Sequence, residues 1–151
     1  MNTRSLSILA IVLWIVGAAT VANLYFGGKT NQGTDNREAV MLNVDERDLI
    51  LAEMRLMLGA VQGIIAAVAD DDMKAVQEIS LAIGMEEVKK VPKSLMLKLP
   101  MDFKTMGKDN HVEFDEVAEI SKQGGRAVLN RLSELLVNCV GCHEEYSLQS
   151  E

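Results

Sequence analysis

From Leu6 to Phe26 the chain runs for 21 residues without a charged side chain, and only Ser7, Thr20 and Asn23 interrupt it with polar groups. At 1.5 Å per residue a helix of that length spans roughly 30 Å, the hydrocarbon thickness of a bilayer. Core helices of soluble proteins carry more polar punctuation, so the segment reads as a membrane or export element. Signal-peptide cores run about 7–15 residues. Thr20-Val21-Ala22 has the look of a cleavage site, but the apolar character continues through Leu24, Tyr25 and Phe26. That continuation favours a retained anchor over a cleaved peptide, and residues 1–28 are assigned to a signal-anchor or signal peptide. Arg4, the one charge on the leading side, favours an orientation that delivers everything after Phe26 to the outside. In a bacterial cell that location is the periplasm, on the face of the inner membrane.

Residues 29–43 lie in a stretch, GGKTNQGTDNREAVML from Gly27 to Leu42, that is rich in Gly, Asn and Thr. It reads as a flexible linker with a reach of roughly 20–24 Å, leaving the rest of the chain near the membrane but free to turn. All 22 acidic residues and all but one of the 15 basic ones follow residue 28, so that part is strongly acidic. Such a charge gives phosphate backbones nothing to hold and excludes nucleic-acid binding; a protein partner should offer a basic patch.

Residues 44–151 carry helical periodicity. Ile50, Met54, Met57, Val61, Ile64 and Val68 recur at intervals of three and four, flanked by Leu51, Leu58 and Ile65. Asn43 with Glu46 can cap the start of this helix, and Asp70-Asp71-Asp72 ends it and can cap the next. The second helix is expected over Met73–Ile83, with Val76, Ile79 and Ile83 on one face and Gly84 as its stop. Between Met85 and Asn110 the pattern weakens around Pro92 and Pro100, leaving one short helix opened by Pro100 as its first residue. A third long helix is expected from near His111, with Phe114, Val117, Ala118 and Ser121 inward, broken at Gly124-Gly125. The last, from Arg126 to Tyr146, should turn Leu129, Leu132, Leu135, Leu136, Cys139, Val140 and His143 to one broad face. No strand-like alternation of useful length is visible. The expected fold class is all-α: a four-helix bundle preceded by one apolar helix.

On the last helix lies Cys139-Val140-Gly141-Cys142-His143, the c-type haem attachment spacing. Two sulfurs three positions apart share a helix face one turn from each other, the spacing needed to bond the two vinyl groups on one porphyrin edge. His143 then stands as proximal iron ligand. Random shuffling of two Cys and two His yields this motif about twice in ten thousand trials. A zinc site would need His111 or a carboxylate to converge on the motif. A thioredoxin-type pair should open a helix in a βαβ setting, whereas this motif closes one. A disulfide across it in mid-helix would be strained. The implied cofactor is one covalently attached haem c per chain.

The longer run CVGCHEEY, ending at Tyr146, resembles the cytochrome c′ family, which carries C-x-x-C-H-x-x-Tyr on a fourth helix. The resemblance covers roughly Asp45 to Leu148. It implies a four-helix bundle enclosing the haem, five-coordinate or methionine-ligated iron, and homodimers formed through the first two helices. Many relatives follow the tyrosine with a basic residue; Ser147 stands there in this chain.

In that family the distal residue comes from the first helix, about four turns before its end. Counting back from Asp70 reaches Met54, with Met57 one turn later. Met54 is the expected distal ligand, with Met57, His111 or an open position as alternatives, since Met on an apolar stripe is commonly core filling. His111, in the polar stretch KDNHVE, is expected at a helix start in a solvent-facing or capping role. Tyr146 is expected to pack on the haem edge, Arg126 and Arg131 to pair with propionates or solvent, and Glu144 and Glu145 to lie at the surface. The expected function is one-electron transport by a monohaem periplasmic cytochrome that is not itself an enzyme. The alternatives are a five-coordinate protein binding NO or CO, and a non-haem metal-binding or structural bundle.

Overall fold

The capping box proposed at Asn43 forms: its side chain accepts from the Glu46 amide at 2.8 Å and the Glu46 carboxylate accepts from the Asn43 amide at 3.1 Å. Such a reciprocal pair stabilises a helix start by about 1 kcal/mol. From it rises a 26-residue helix, the second of the chain, in a computed structural model that describes residues 3–151. The first two residues, at the head of the assigned signal-anchor, lie outside the described part.

Helix α1 spans Thr3–Gly27, and its side chains are exposed along its length wherever they are described. It is long and apolar enough to cross a membrane. Strands β1 (Thr30–Gln32) and β2 (Glu38–Leu42) follow, then α2 (Val44–Ala69) and α3 (Met73–Ile83). Two single-turn helices, α4 (Met85–Val88) and α5 (Lys93–Met96), lead into α6 (Met101–Ile120). After a 3-10 turn at Ser121–Gln123 come α7 (Gly125–Glu145) and β3 (Tyr146–Ser150). The molecule is mostly helical with a small sheet.

Helix α2 also passes the length and hydropathy test for a membrane span. One face of it, with Ile50, Ala60, Val61, Ile64 and Ala67, is buried within the fold, while Leu49, Leu56, Leu58 and Ile65 on it are exposed. The acidic triplet acts as expected. Asp70 ends α2, Asp71 turns the chain at φ +57°, and the Asp72 side chain accepts from the Ala75 amide at 2.9 Å to start α3. Helix α3 packs on α2 and α6, α6 on α7, and α7 on α2. The main core gathers Val61, Ile64, Val76, Phe114, Val117, Val128, Leu132 and Leu135 between them.

Several sequence expectations require correction. The 29–43 stretch is not a free linker. Strand β2 lies between β1, antiparallel with Thr30 opposite Val40, and β3, parallel with Glu38 opposite Tyr146 and Leu42 opposite Ser150. Ala39, Val40 and Leu42 are completely buried, so their apolar area holds the segment down. The fold is therefore not purely all-α; the alternation was too short to identify a strand that pairs with a partner more than a hundred residues away.

The third long helix begins at Met101, ten residues before the expected start. Pro100 precedes it as the cap residue rather than its first turn, and polar Lys108 and Asp109 belong to its solvated face. The last helix stops at Glu145, and Tyr146 already belongs to β3. Its inward face is also rotated from expectation. Val128, Leu132, Leu135 and Cys142 are buried, whereas Leu129, Leu136, Val140 and His143 are exposed.

Candidate functional site

Helices α2, α6 and α7 converge around a cavity of about 420 Å³ whose lining includes Met54, Met57, His111, Cys139, Cys142 and His143. Its wall is otherwise mostly apolar: Ile50, Leu51, Leu58, Val61, Phe103, Phe114 and Leu136. Gly107 on α6 faces it with open space where a Cβ would stand. Volume and lining fall in the range of small-molecule and cofactor pockets, about 300–1,000 Å³. Cys142 is buried, Cys139 half-buried and His143 exposed at the rim. Met54 is half-buried, one helical turn beyond the buried Ile50.

A second cavity of about 240 Å³ shares Leu51, Met54, Phe103, Cys142 and His143 with the first and adds Arg37, Tyr146, Ser147 and Leu148. Tyr146 is buried edge-on against Phe103, ring centres 5.3 Å apart, in the cluster that also holds Val40, Leu42 and Cys142. The sheet thus fixes where the end of α7 lies. Arg37 strengthens that hold: its guanidinium donates to the carbonyl oxygens of His143 (3.1 Å) and Tyr146 (3.2 Å) while paired with Asp35 at 2.6 Å. Carbonyls at a helix C-terminus lack intrahelical donors, and a cation satisfies them twice over, by hydrogen bonding and by opposing the helix dipole. The Asp35 carboxyl is held below its ordinary range by that same guanidinium.

Asn110, buried on α6, ties α7 in place from the other side. Its side-chain oxygen accepts from Asn138 Nδ2 at 2.8 Å and faces Cys139 Sγ at 3.7 Å. Asn138 also donates to the Met106 carbonyl at 3.0 Å. Burial pushes both thiols up, with Glu113 adding to the effect at Cys139 and Cys139 with Glu145 adding to it at Cys142. Thiols raised in this way are poor nucleophiles, the opposite of a catalytic dithiol at a helix N-terminus. Among the described residues no three of His, Cys, Asp and Glu come together as metal ligands, so the motif does not assemble a protein-only site of the zinc kind.

His111 is neither solvent-facing nor a cap. It is buried in mid-α6, with Nδ1 2.6 Å from the Ile83 carbonyl and Nε2 3.1 Å from Glu53 Oε1. Both ring nitrogens are engaged, so no lone pair is left for iron, and the alternative of His111 as distal ligand falls away. The carbonyl must receive a proton from Nδ1, and Nε2 facing a carboxylate requires another proton between them. Burial alone would lower the His111 pKa, but Glu53 and the Ile83 carbonyl outweigh it and raise it.

Arg131 is taken up by Glu113, Glu116 and Glu134, at 3.5, 2.5 and 3.2 Å, and Arg126 is exposed away from the cavity lining. Arg55, on the cavity rim and exposed, is the arginine that the pocket does present. Glu144 and Glu145 lie at the surface as expected.

Sequence reading missed Arg37, Glu53, Arg55 and Asn110. Glu53 and Arg55 flank Met54 in the sequence and were legible as neighbours of a candidate ligand. Arg37 and Asn110 carry no local signal, since their partners lie 106 and 29 residues away. No family model, curated protein or solved structure matches the chain.

Proposed function

We propose that the chain is a membrane-anchored monohaem c-type cytochrome whose soluble part is a cytochrome c′-like four-helix bundle of α2, α3, α6 and α7. Its work in this reading is one-electron transfer on the outer face of the inner membrane, in the periplasm. The observation that carries it is the sharing of one apolar-walled cavity by Cys139, Cys142, His143 and Met54, which come from helices more than eighty residues apart. The donor set suits haem c. Two thiols one turn apart serve a porphyrin edge, an imidazole adjoins them, and a thioether stands on the facing helix. A porphyrin supplies four of the six iron ligands itself, so a site with only one imidazole and one thioether to offer is chemically complete.

The bound haem would contribute a one-electron redox couple. The protein's residues do the rest. Cys139 and Cys142 would hold the macrocycle and His143 would supply an imidazole nitrogen to its iron, while Arg37 fixes the His143 backbone carbonyl. Met54 would supply a thioether ligand, which raises the reduction potential and closes such an iron to outside ligands. Arg55 is the candidate partner for the propionates. Phe103, Phe114 and Leu51 exclude water, which limits reorganisation when the charge changes. Glu38, Glu144 and Glu145 line a polar hollow beside His143 and give a redox partner with a basic patch a complementary surface.

The test is the optical spectrum of the full chain expressed in a host competent for cytochrome maturation. A Soret band, a sharp reduced α-band unchanged by CO, and a mass increase of one haem are expected. Met54→Ala should convert the protein to one that binds CO. Bare polypeptide mass overturns the haem assignment; a CO-induced shift in the unaltered protein, or a variant that still refuses CO, overturns Met54.

A further inference from the structure

We infer that α5 with its flanking residues and the start of α6, residues 89–104, lie flat on anionic phospholipid headgroups at the foot of α1. This rests on α1 being a retained anchor and not on the haem assignment. The first ground is distance. Only Gly27 and Gly28 separate the exposed aromatics Tyr25 and Phe26 from Lys29, whose amide donates to the Lys98 carbonyl at 2.7 Å. Gly28 sits at φ +64° with its Cα against the backbone of residues 98–100, so closely that no Cβ would fit. Lys104 Nζ donates to the Tyr25 carbonyl at 3.0 Å and lies 4.9 Å from the Tyr25 ring centre. Tyr25 and Phe26 are the residue types that settle at the membrane–water boundary. The headgroup layer adds only roughly 5–8 Å to each side of the hydrocarbon. Whatever packs on Gly28 and Tyr25 is therefore at headgroup depth.

The second ground is charge. Residues 89–104 hold five lysines against one carboxylate, Asp102, in a chain that is otherwise strongly acidic. Lys89, Lys90 and Lys98 have carboxylate partners, whereas Lys93 and Lys104 have none among the described residues. Third, Leu97 is 62% exposed, four residues after Lys93 and next to Lys98, an apolar side chain flanked by cations as in interfacial segments. Each lysine near an anionic surface is attracted to it, whereas a zwitterionic surface offers little. The acidic helices would be repelled by that surface, so the basic segment also fixes which face of the protein turns outward.

The test is backbone hydrogen–deuterium exchange of the full chain in lipid nanodiscs, zwitterionic phosphatidylcholine against a mixture rich in phosphatidylglycerol. Exchange over residues 89–98 should slow by about tenfold in the anionic discs. The double variant K93E/L97S changes two exposed side chains and should lose the difference while exchange in α6 and α7 stays as in the unaltered chain. Equal rates in the two lipids, or a variant that keeps the slowing, overturns the proposal. A carbonate wash separates the two readings: a chain that washes off the bilayer refutes the anchor, and a chain that stays but shows no slowing refutes this surface alone.

Discussion

Replacing Leu42 by Ala tests whether the segment after α1 is a tether or part of the core. Leu42 is completely buried on β2, packed in the cluster of Val40, Ile50, Leu95, Leu99, Phe103, Cys142 and Tyr146. Its carbonyl accepts from the Glu151 amide at 2.9 Å, so its backbone also closes the parallel pairing with β3. Truncation to Ala removes three carbon atoms from a fully enclosed position. Lost transfer energy plus the cavity left behind put the cost at about 3 kcal/mol, within the range of buried Leu→Ala changes. For a domain of this size each kcal/mol moves the melting temperature by about 3–5 °C, giving a fall of roughly 10–15 °C. Leu81→Ala, half-exposed on α3, serves as control and should stay within about 0.5 kcal/mol. The assay is thermal unfolding of the full chain in detergent, followed by far-ultraviolet circular dichroism, with any bound ligand matched between the variants, since a ligand bound to the folded state adds stability of its own. A Leu42→Ala shift as small as that of the control would mean that the 38–42 strand is not held in the core, and the reasoning would be wrong.

Two further outcomes follow from the site. His111 has its pKa raised in the folded protein by Glu53 and the Ile83 carbonyl against the effect of burial. The stability it contributes is therefore fully present below about pH 6.5, the ordinary histidine value, and lost as pH rises through the raised folded value. Urea midpoints should fall over that interval, and Glu53→Gln should flatten the slope; a midpoint that rises there contradicts the protonated pair. Arg37→Ala strips the donor from the His143 and Tyr146 carbonyls and should cost about 1–3 kcal/mol in urea unfolding, with Arg37→Lys restoring only part of it because an ammonium cannot reproduce the planar fork.

The long helices were legible because their information is local. The three-four spacing from Ile50 to Val68 and the Asn43–Glu46 box state a helix and its start within one segment, and the inward face Phe114, Val117, Ala118 and Ser121 was read correctly. The C-x-x-C-H spacing at Cys139–His143 is likewise local to one segment, whereas Met54 was reached only through the family resemblance. The sheet was not legible, since β2 depends on a parallel partner at the opposite end of the chain and has only five residues in which to show its alternation. The phase of α7 was misjudged for a related reason: leucines at Leu129 and Leu136 extend the apolar stripe past what α2 and α6 can cover.

Sequence by itself determined the residue chemistry: an apolar span, an acidic body, and two thiols and an imidazole at fixed intervals. Tertiary structure decided which of several candidates share a space. Met54 and Cys142 line one cavity, while His111 in the same wall is withdrawn by Glu53 and Ile83. The physical reason is that spacing fixes direction only within one rigid helix; between helices, direction comes from packing and from buried polar groups that must find partners, and those partners lie far away along the chain.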